Sequence, residues 1–527
     1  MAWVLLAAET MRPDAVSPLM LDHPPDWPFS SAATATVLLV LVLVAYLARL
    51  NQLLLSTPDE IRRLNPGGWT KDLLLATYQR LESNPTTTST YAQRIPPKLE
   101  RRYIVTGGSG LVGGYIVLQL LERGQPPESI RILDFRAPRR ADMSHGRATK
   151  VDFVQTDISS AESTGKAFRK PWDPSVAHLP LTVFHTAAVI VPSDRSKLVY
   201  GFCEAVNVRG TQHVVDAARR AGADVLVSTT SGSISIRPVE LWVSPWRMWP
   251  GSSGCWPRHY WQVLDEKDFF EPPRKHEEYY ANYPASKAAA ERIVCAANSE
   301  AMRTGCIRPA NGVYGNPTDN TVGGALAKAV LPTWTSHIVQ SFVHGSNVAV
   351  AHLDFEAVLA SRESASSPQA GRPFVITDPN PPISYRDLYS LIETLAVTPF
   401  RISPLQPIVM VLLSYPIEWY TLLRVRYPFL QKVLPELTGE VKHLKPGIFS
   451  ICTHLVASNE VASQSAAAGG LGYRGVVTTL EGMTQEVIEW NRDHKDSAGT
   501  RKSYQTSVSL ADEIAGALSG LKSVSGA

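Results

Sequence analysis

From Arg102 onward, short apolar runs alternate with stretches of helical period. Arg102–Thr106, Ile130–Phe135, Val151–Gln155, Leu181–Thr186, Val225–Thr230 and Thr304–Arg308 read as strands. Leu111–Arg123, Tyr200–Ala221 and Pro284–Arg303 read as helices between them. Strand–helix alternation predicts an α/β fold whose parallel sheet is doubly wound, with helices on both faces.

Upstream the pattern changes. No charged residue occurs from Trp27 to Ala48, and Val37–Val44 is wholly aliphatic. At 1.5 Å per residue such a run crosses a hydrocarbon core of ~30 Å, so a transmembrane anchor is expected at 32–50. Arg49, Arg62, Arg63 and Lys71 follow it, whereas Asp14, Asp22 and Asp26 precede it with Arg12 alone for balance. That bias puts the C-terminal part on the cytosolic side. A cleaved signal peptide and a buried core helix are the competing readings; the late start argues against the first, and the missing polar face against the second.

The expected organisation is an N-terminal tail at 1–31, the anchor, and a linker at 51–98 ending in a Thr- and Pro-rich stretch. The α/β domain at 99–495 comes next, mainly nucleotide-binding over 99–315 and mainly substrate-binding over 316–495. A Ser-, Ala- and Gly-rich tail fills 496–527. Two segments do not fit the βα rhythm. One holds Trp242, Trp246, Trp249, Trp256 and Trp261, and suits a substrate cover, a membrane-interface patch or a satellite core. The other, Pro404–Leu423, is apolar but interrupted by Pro407, Pro416 and Glu418. It reads as a monotopic contact or a lid over a greasy substrate.

The net charge is +3, from 51 basic and 48 acidic residues, with no basic run, so nucleic acid is set aside as a partner. Five cysteines without a CxxC pair, and no HExxH spacing, argue against a disulfide framework or a metal site.

The strongest local motif is Thr106-Gly107-Gly108-Ser109-Gly110-Leu111-Val112-Gly113, which follows a strand and opens a helix. Glycine is needed there because the backbone must turn tightly and approach a pyrophosphate, which then rests on the free N–H groups of a helix N-terminus. Asp134 ends the second strand about twenty residues past the last glycine, where an acid meets the adenosine ribose. This context makes the sheet a Rossmann-type one. Asp134 favours NAD, while Arg136, Arg139 and Arg140 just beyond keep NADP open, or form a solvated loop.

Tyr283 and Lys287 form a YxxxK pair at the start of a helix, where residues four apart share one face, ~5–6 Å between Cβ atoms. Pro284 is tolerated in a first helical turn, though it biases Tyr283 away from helical geometry. Deprotonating an alcohol near neutrality needs a base. Moving a tyrosine from ~10 to near 7 takes roughly 4 kcal/mol of phenolate stabilisation, which an ammonium at Lys287 and a cationic nicotinamide can supply. Upstream, Val225–Ser231 is a strand running into hydroxyls; Ser231 is the first choice to hold a substrate oxygen, with Ser233 and Thr230 behind it.

These pieces together resemble the extended short-chain dehydrogenases, specifically the 3β-hydroxysteroid dehydrogenase/isomerase family, from about Arg102 to Asn491. The carrying motifs are TGGSGLVG at 106–113, FHTAA at 184–188, NVRGT at 207–211, STTS at 228–231, YPASK at 283–287 and RPANGVYG at 308–315. The resemblance implies Tyr283 as the proton-transfer residue, Lys287 on the ribose and Ser231 on the substrate oxygen. It implies Asp157 and Ile158 beside the adenine, Ala187 and Ala188 along the cofactor channel, and Pro309 and Val313 by the nicotinamide. Locally, Asp157 also suits a helix cap, and His185 suits a packed strand residue better than a ligand. The family often oxidises the 3β-hydroxyl of sterols, some members with loss of a 4α-carboxylate, and many associate with the endoplasmic reticulum. Two departures bear on the substrate: a Ser231–Tyr283 gap wider than is usual, and an anchor that precedes the nucleotide fold.

The resulting expectation is a single-pass membrane oxidoreductase of the endoplasmic reticulum, its catalytic domain in the cytosol, using NAD or NADP on a sterol-like secondary alcohol or ketone. Membrane lipid and a second copy of the chain are the expected partners. A carbonyl reductase or sugar-nucleotide epimerase, and a catalytically idle nucleotide-binding scaffold, are the alternatives.

Overall fold

The computed structural model describes residues 31–65, 67–248, 255–361, 367–495 and 501. The calls on the two terminal tails and on Trp249 fall outside these. The chain divides into two units, Met1–Arg49 and Leu50–Ala527. The first carries most of helix α1 (Ser31–Leu54), whose aliphatic run is exposed at every position from Val37 to Val44. Length and composition allow it to cross a membrane.

The second unit is built on seven parallel strands: β1 (Arg102–Thr106), β2 (Ile130–Asp134), β3 (Asp152–Gln155), β4 (Leu181–His185), β5 (Ala223–Thr229), β6 (Arg303–Pro309) and β7 (Pro373–Ile376). Their order in the sheet is β3-β2-β1-β4-β5-β6-β7, a doubly wound Rossmann-type arrangement. Strands buried on both faces read as continuous apolar runs, as Tyr103–Val105 and Val225–Val227 do here, each fully buried. Chain direction across the sheet reverses between β1 and β4, and that switch point opens a crevice at the carboxyl edge.

Helices α3 (Leu111–Glu122) and α7 (Gly345–Ala360) pack on one face, and α4 (Ala161–Arg169) and α6 (Asn282–Ala296) on the other, forming separate apolar clusters. Between α4 and α6 in sequence runs an interrupted helix. It is α-helical at Gly201–Cys203, π-helical at Glu204–Arg209 and α-helical again as α5 (Gly210–Arg220). Close packing of β6 on α7 depends on Gly305, whose added Cβ would lie 2.1 Å from the Phe355 ring.

The stretch 51–98 is not a linker. It folds into a helix at Asp59–Leu64, α2 (Lys71–Ser83) and a 3-10 turn at Thr88–Arg94. Leu74 and Leu81 are buried, and Asp387 accepts from Trp69 N–H at 2.9 Å. Polar and threonine-rich composition hid a helix with a narrow apolar stripe. The C-terminal part adds α8 (Tyr385–Leu395), α9 (Pro407–Arg426) and α10 (Thr479–His494). A small sheet joins Ile383–Ser384, Val339–Gln340, His454–Ala457 and Trp261–Leu264 in that order, so part of the Trp-rich segment is a strand. Despite Pro416, α9 is continuous; Pro407 sits where a helix leaves N–H groups unpaired anyway.

Gly305→Ala is expected to cost about 1–3 kcal/mol, because the ring it meets is itself packed in the core. An unchanged denaturation midpoint would contradict this packing.

Candidate active site

In-register pairing aligns the carboxyl ends of the central strands. Thr106 faces His185, His185 faces Ser228, and Thr229 faces Ile307. The glycine bend after β1, the Thr186–Ala188 turn after β4 and the hydroxyl turn after β5 therefore leave the same edge. With strands ~4.8 Å apart, β1 and β5 lie ~10 Å from each other. His185 is held between Thr106 Oγ1 at 2.7 Å and Thr211 Oγ1 at 2.9 Å, and burial pushes its imidazole down to about 3. It is a packed strand residue, as expected.

The bend is a cradle that only bare backbone permits. A Cβ on Gly113 would sit 2.3 Å from the Gly107 carbonyl oxygen. Gly107 itself has φ +73°, and a Cβ there would meet the Ala187 nitrogen at 2.6 Å. Asp134 ends β2 with Oδ2 accepting from Ser109 N–H at 3.0 Å and Oδ1 facing Arg136 N–H at 3.4 Å; Ser109 Oγ donates to the Arg136 carbonyl at 2.7 Å. Burial raises the Asp134 carboxyl, while those N–H groups hold it down. Gly107, Gly108, Ser109, Gly110 and the helix start at Leu111–Val112 thus form one acid-flanked N-terminus, and the residues fit a dinucleotide.

Other predicted positions fare differently. Arg140 is taken: it stacks on Tyr115 at 4.3 Å, pairs with Asp142 at 2.5 Å and donates to the Leu111 carbonyl at 2.7 Å. It is a buried brace and no acceptor for a 2′-phosphate. Asp157 Oδ1 accepts from Ser159 N–H at 2.8 Å and Ser159 Oγ at 2.7 Å, which is turn chemistry. Ile158 is buried against Gly210. Ala188 is exposed beside the half-buried Ala187. Pro309 ends β6, and its carbonyl lies 2.9 Å from where a Cβ on Gly232 would stand. Val313 follows in a two-residue strand, Val313–Tyr314.

Tyr283 lies inside α6, not before it. Lys287 Nζ, one turn on, donates to the Thr229 carbonyl at 2.8 Å, which ties the helix to the end of β5. Ser231 caps the turn after β5 and shares a 2.8 Å hydrogen bond with Ser233. Burial pushes the Tyr283 phenol up to about 12 while the Ser231 hydroxyl pulls it down; burial brings the Lys287 ammonium down to about 8. The protein alone thus moves the phenol away from neutrality, opposite to the direction proton abstraction requires.

Three supports were not legible in the sequence. Glu291, two turns beyond Tyr283 on α6, pairs with Arg308 through two bonds at 2.6 and 2.9 Å and accepts from Thr230 Oγ1 at 2.9 Å. Asn207, in the π-helical segment, clamps Val189 through both backbone groups and donates to Ser286 Oγ at 2.9 Å; Ser286 in turn bonds the Tyr283 carbonyl at 2.7 Å. Asn282 N–H reaches the Asp194 carbonyl at 2.6 Å. Asn207 stands inside NVRGT and Glu291 directly after YPASKAAA, so the signal was motif context, not residue type.

The sequence profile of the 3-beta hydroxysteroid dehydrogenase/isomerase family matches residues 104–237 and 265–400. An Arabidopsis thaliana protein, 3beta-hydroxysteroid-dehydrogenase/decarboxylase isoform 2, is 25% identical over 74% of this chain and 62% of its own length. The mouse 3 beta-hydroxysteroid dehydrogenase type 7 is 26% identical over 75% of this chain and 97% of its own. Among solved structures, a Thermus thermophilus UDP-glucose 4-epimerase in complex with NAD aligns over 73% of this chain and 98% of its own, with 21% identity and a TM-score of 0.45.

The Lys287 shift has a signed consequence. Between about pH 8 and 10.5 the unfolded chain holds a proton that the folded chain has lost, so folding stability rises with pH across that window. Lys287→Met removes the effect. The stability difference between wild type and variant in urea should change by roughly 3 kcal/mol from pH 7.5 to 10.5, in favour of the wild type. A difference independent of pH would show that Lys287 is not desolvated.

Proposed function

The chain belongs to the 3-beta hydroxysteroid dehydrogenase/isomerase family, and on that premise we propose that it oxidises the 3β-hydroxyl of a sterol-like alcohol, or reduces the corresponding ketone, with NAD as the preferred cofactor. It is an oxidoreductase acting on CH–OH groups. The observation that carries the reading is the pairing of Tyr283 and Lys287 on α6 with Ser231 in the turn after β5, on the same sheet edge as a glycine cradle flanked by Asp134.

The cradle at Gly107–Gly113 would hold the pyrophosphate and Asp134 the adenosine ribose. Asp157, Ile158, Ala187, Ala188, Pro309 and Val313 would line the remainder. Bound there, the oxidised nicotinamide supplies a hydride acceptor and a positive charge. Ser231 and Tyr283 hydrogen-bond the substrate oxygen, and Tyr283 takes the hydroxyl proton as the C–H bond breaks. Lys287, anchored on Thr229, keeps an ammonium within a turn of the phenol. Because burial raises the phenol to about 12, deprotonation depends on added positive charge, which couples proton removal to occupancy by the oxidised cofactor.

Asp134 supports NAD over NADP: its carboxylate stands where a 2′-phosphate would add like charge, and Arg140 is already committed to Asp142. Two relatives with decarboxylase in their names support a 4α-carboxylate as a substrate feature. The exposed aliphatic run of α1 supports a single-pass membrane anchor; the basic residues after it support a cytosolic catalytic part, and family membership supports the endoplasmic reticulum.

Turnover of 3β-hydroxysterols, with and without a 4α-carboxylate, should generate NADH, read by absorbance. Tyr283→Phe should lower kcat by about a hundred- to ten-thousand-fold while NAD affinity stays within about twofold. No net NADH from any sterol, or full activity in Tyr283→Phe, would overturn the assignment.

A further inference from the structure

Helix α9 is long and apolar enough to cross a membrane, yet its contacts give it another posture. Pro407, Ile408, Val411 and Ser414 are buried against the protein. Glu418, further along the same side, forms a two-pronged ion pair with Arg195 at 2.8 and 2.7 Å. A lone spanning helix exposes its whole circumference to lipid; this one commits a face to protein and keeps a charge pair there. The other face is apolar and bare: Val409, Leu412, Leu413 and Trp419 are all exposed, Trp419 at 66%. Trp242 extends it, stacked on Tyr415 and donating to the Tyr415 hydroxyl at 3.1 Å. Exposed Phe429 and Val433 continue it past the helix end, with Arg426 and Lys432 among them.

Chain connectivity says what covers this face. The polypeptide enters the second unit at Leu50. Asn51 receives the start of α9, donating to Gln406 Oε1 at 2.6 Å and accepting from Ile408 N–H at 3.2 Å. Ala48, the last residue of the uncharged run, precedes Asn51 by three residues, at most ~10 Å of chain. A bilayer surface at the end of that run is therefore within reach of the start of α9. An apolar face with tryptophans and flanking cations is the composition that settles at the headgroup–acyl boundary.

We propose that the outward face of α9, extended by Trp242 and Phe429, lies in the surface of the phospholipid bilayer that α1 crosses, as a second, in-plane attachment. This rests on the reading of α1 as a membrane anchor. The inward face gives the contact a use. Arg195, held by Glu418, adjoins Asp194, which pairs with Lys445 and accepts from the N–H of Asn282, the residue before Tyr283. The bilayer contact is thus a few bonded residues from the start of the catalytic helix.

The test uses the full-length protein in vesicles of phosphatidylcholine and phosphatidylserine that carry doxyl-labelled phosphatidylcholine, with the label at a shallow or a deep acyl position. The Trp419 emission is read as the difference between wild type and Trp419→Phe, a conservative change at an exposed site. About half of it should be quenched by the shallow label and less by the deep one. Protein that floats with the vesicles but keeps its Trp419 emission would overturn the α9 contact and leave the anchor intact. Emission protected within a dimer that Trp419→Asp dissociates would assign the face to a second copy instead. Failure to float at all would remove the anchor reading, and this proposal with it.

Discussion

The buried pair of Glu291 and Arg308 holds the catalytic corner together. Arg308 leaves β6, reaches Glu291 on α6 with two bonds, and turns its remaining nitrogen to Asp268 at 2.6 Å, Ser235 Oγ and the Asp265 carbonyl. Glu291 also accepts from Thr230, the first residue past β5. One ion pair therefore fixes a strand end, the hydroxyl turn, the helix that carries Tyr283 and Lys287, and the end of the Trp-rich segment. A buried charge is costly unless fully paired, and here each oxygen and nitrogen of the pair has a partner. Slippage or rotation of the helix would leave a bare charge in the core.

Around this brace Lys287 is buried and Tyr283 half-buried. Burial shifts Tyr283 and Lys287 in opposite directions, the phenol upward and the ammonium downward, both toward the neutral form. Such a site is poor at ionising itself and responsive to a cation placed in it. The glycine cradle after β1, two strands from β5, is where a dinucleotide would bring one, and the shared carboxyl edge makes cradle and phenol parts of one arrangement.

Much of this was legible in the sequence. Six of the seven central strands announce themselves as apolar runs, five of them because strands buried on both faces have no polar side to break the pattern. The glycines at 107 and 113 are explained by clashes that any side chain would make, and Lys287, one turn beyond Tyr283, is tied to the strand end that Ser231 follows. What escaped has physical reasons. The edge strand Pro373–Ile376 is only four residues long, and its apolar run carries no βα spacing. The helices between Asp59 and Ser83 bury few apolar residues, so they read as linker. Pro416 and Glu418 look like breaks in an apolar run, but α9 absorbs the proline and gives the glutamate an arginine. Arg140 looks like a phosphate ligand until its aromatic and acidic neighbours are seen.

A crystal structure of the protein with bound NAD would test the central claim most directly. The account predicts the pyrophosphate on the Gly107–Gly113 bend, the nicotinamide ribose within hydrogen-bonding reach of Lys287, and the nicotinamide ring facing the Tyr283 hydroxyl beside Ser231. A nucleotide bound elsewhere, or a ring turned away from Tyr283, would contradict it.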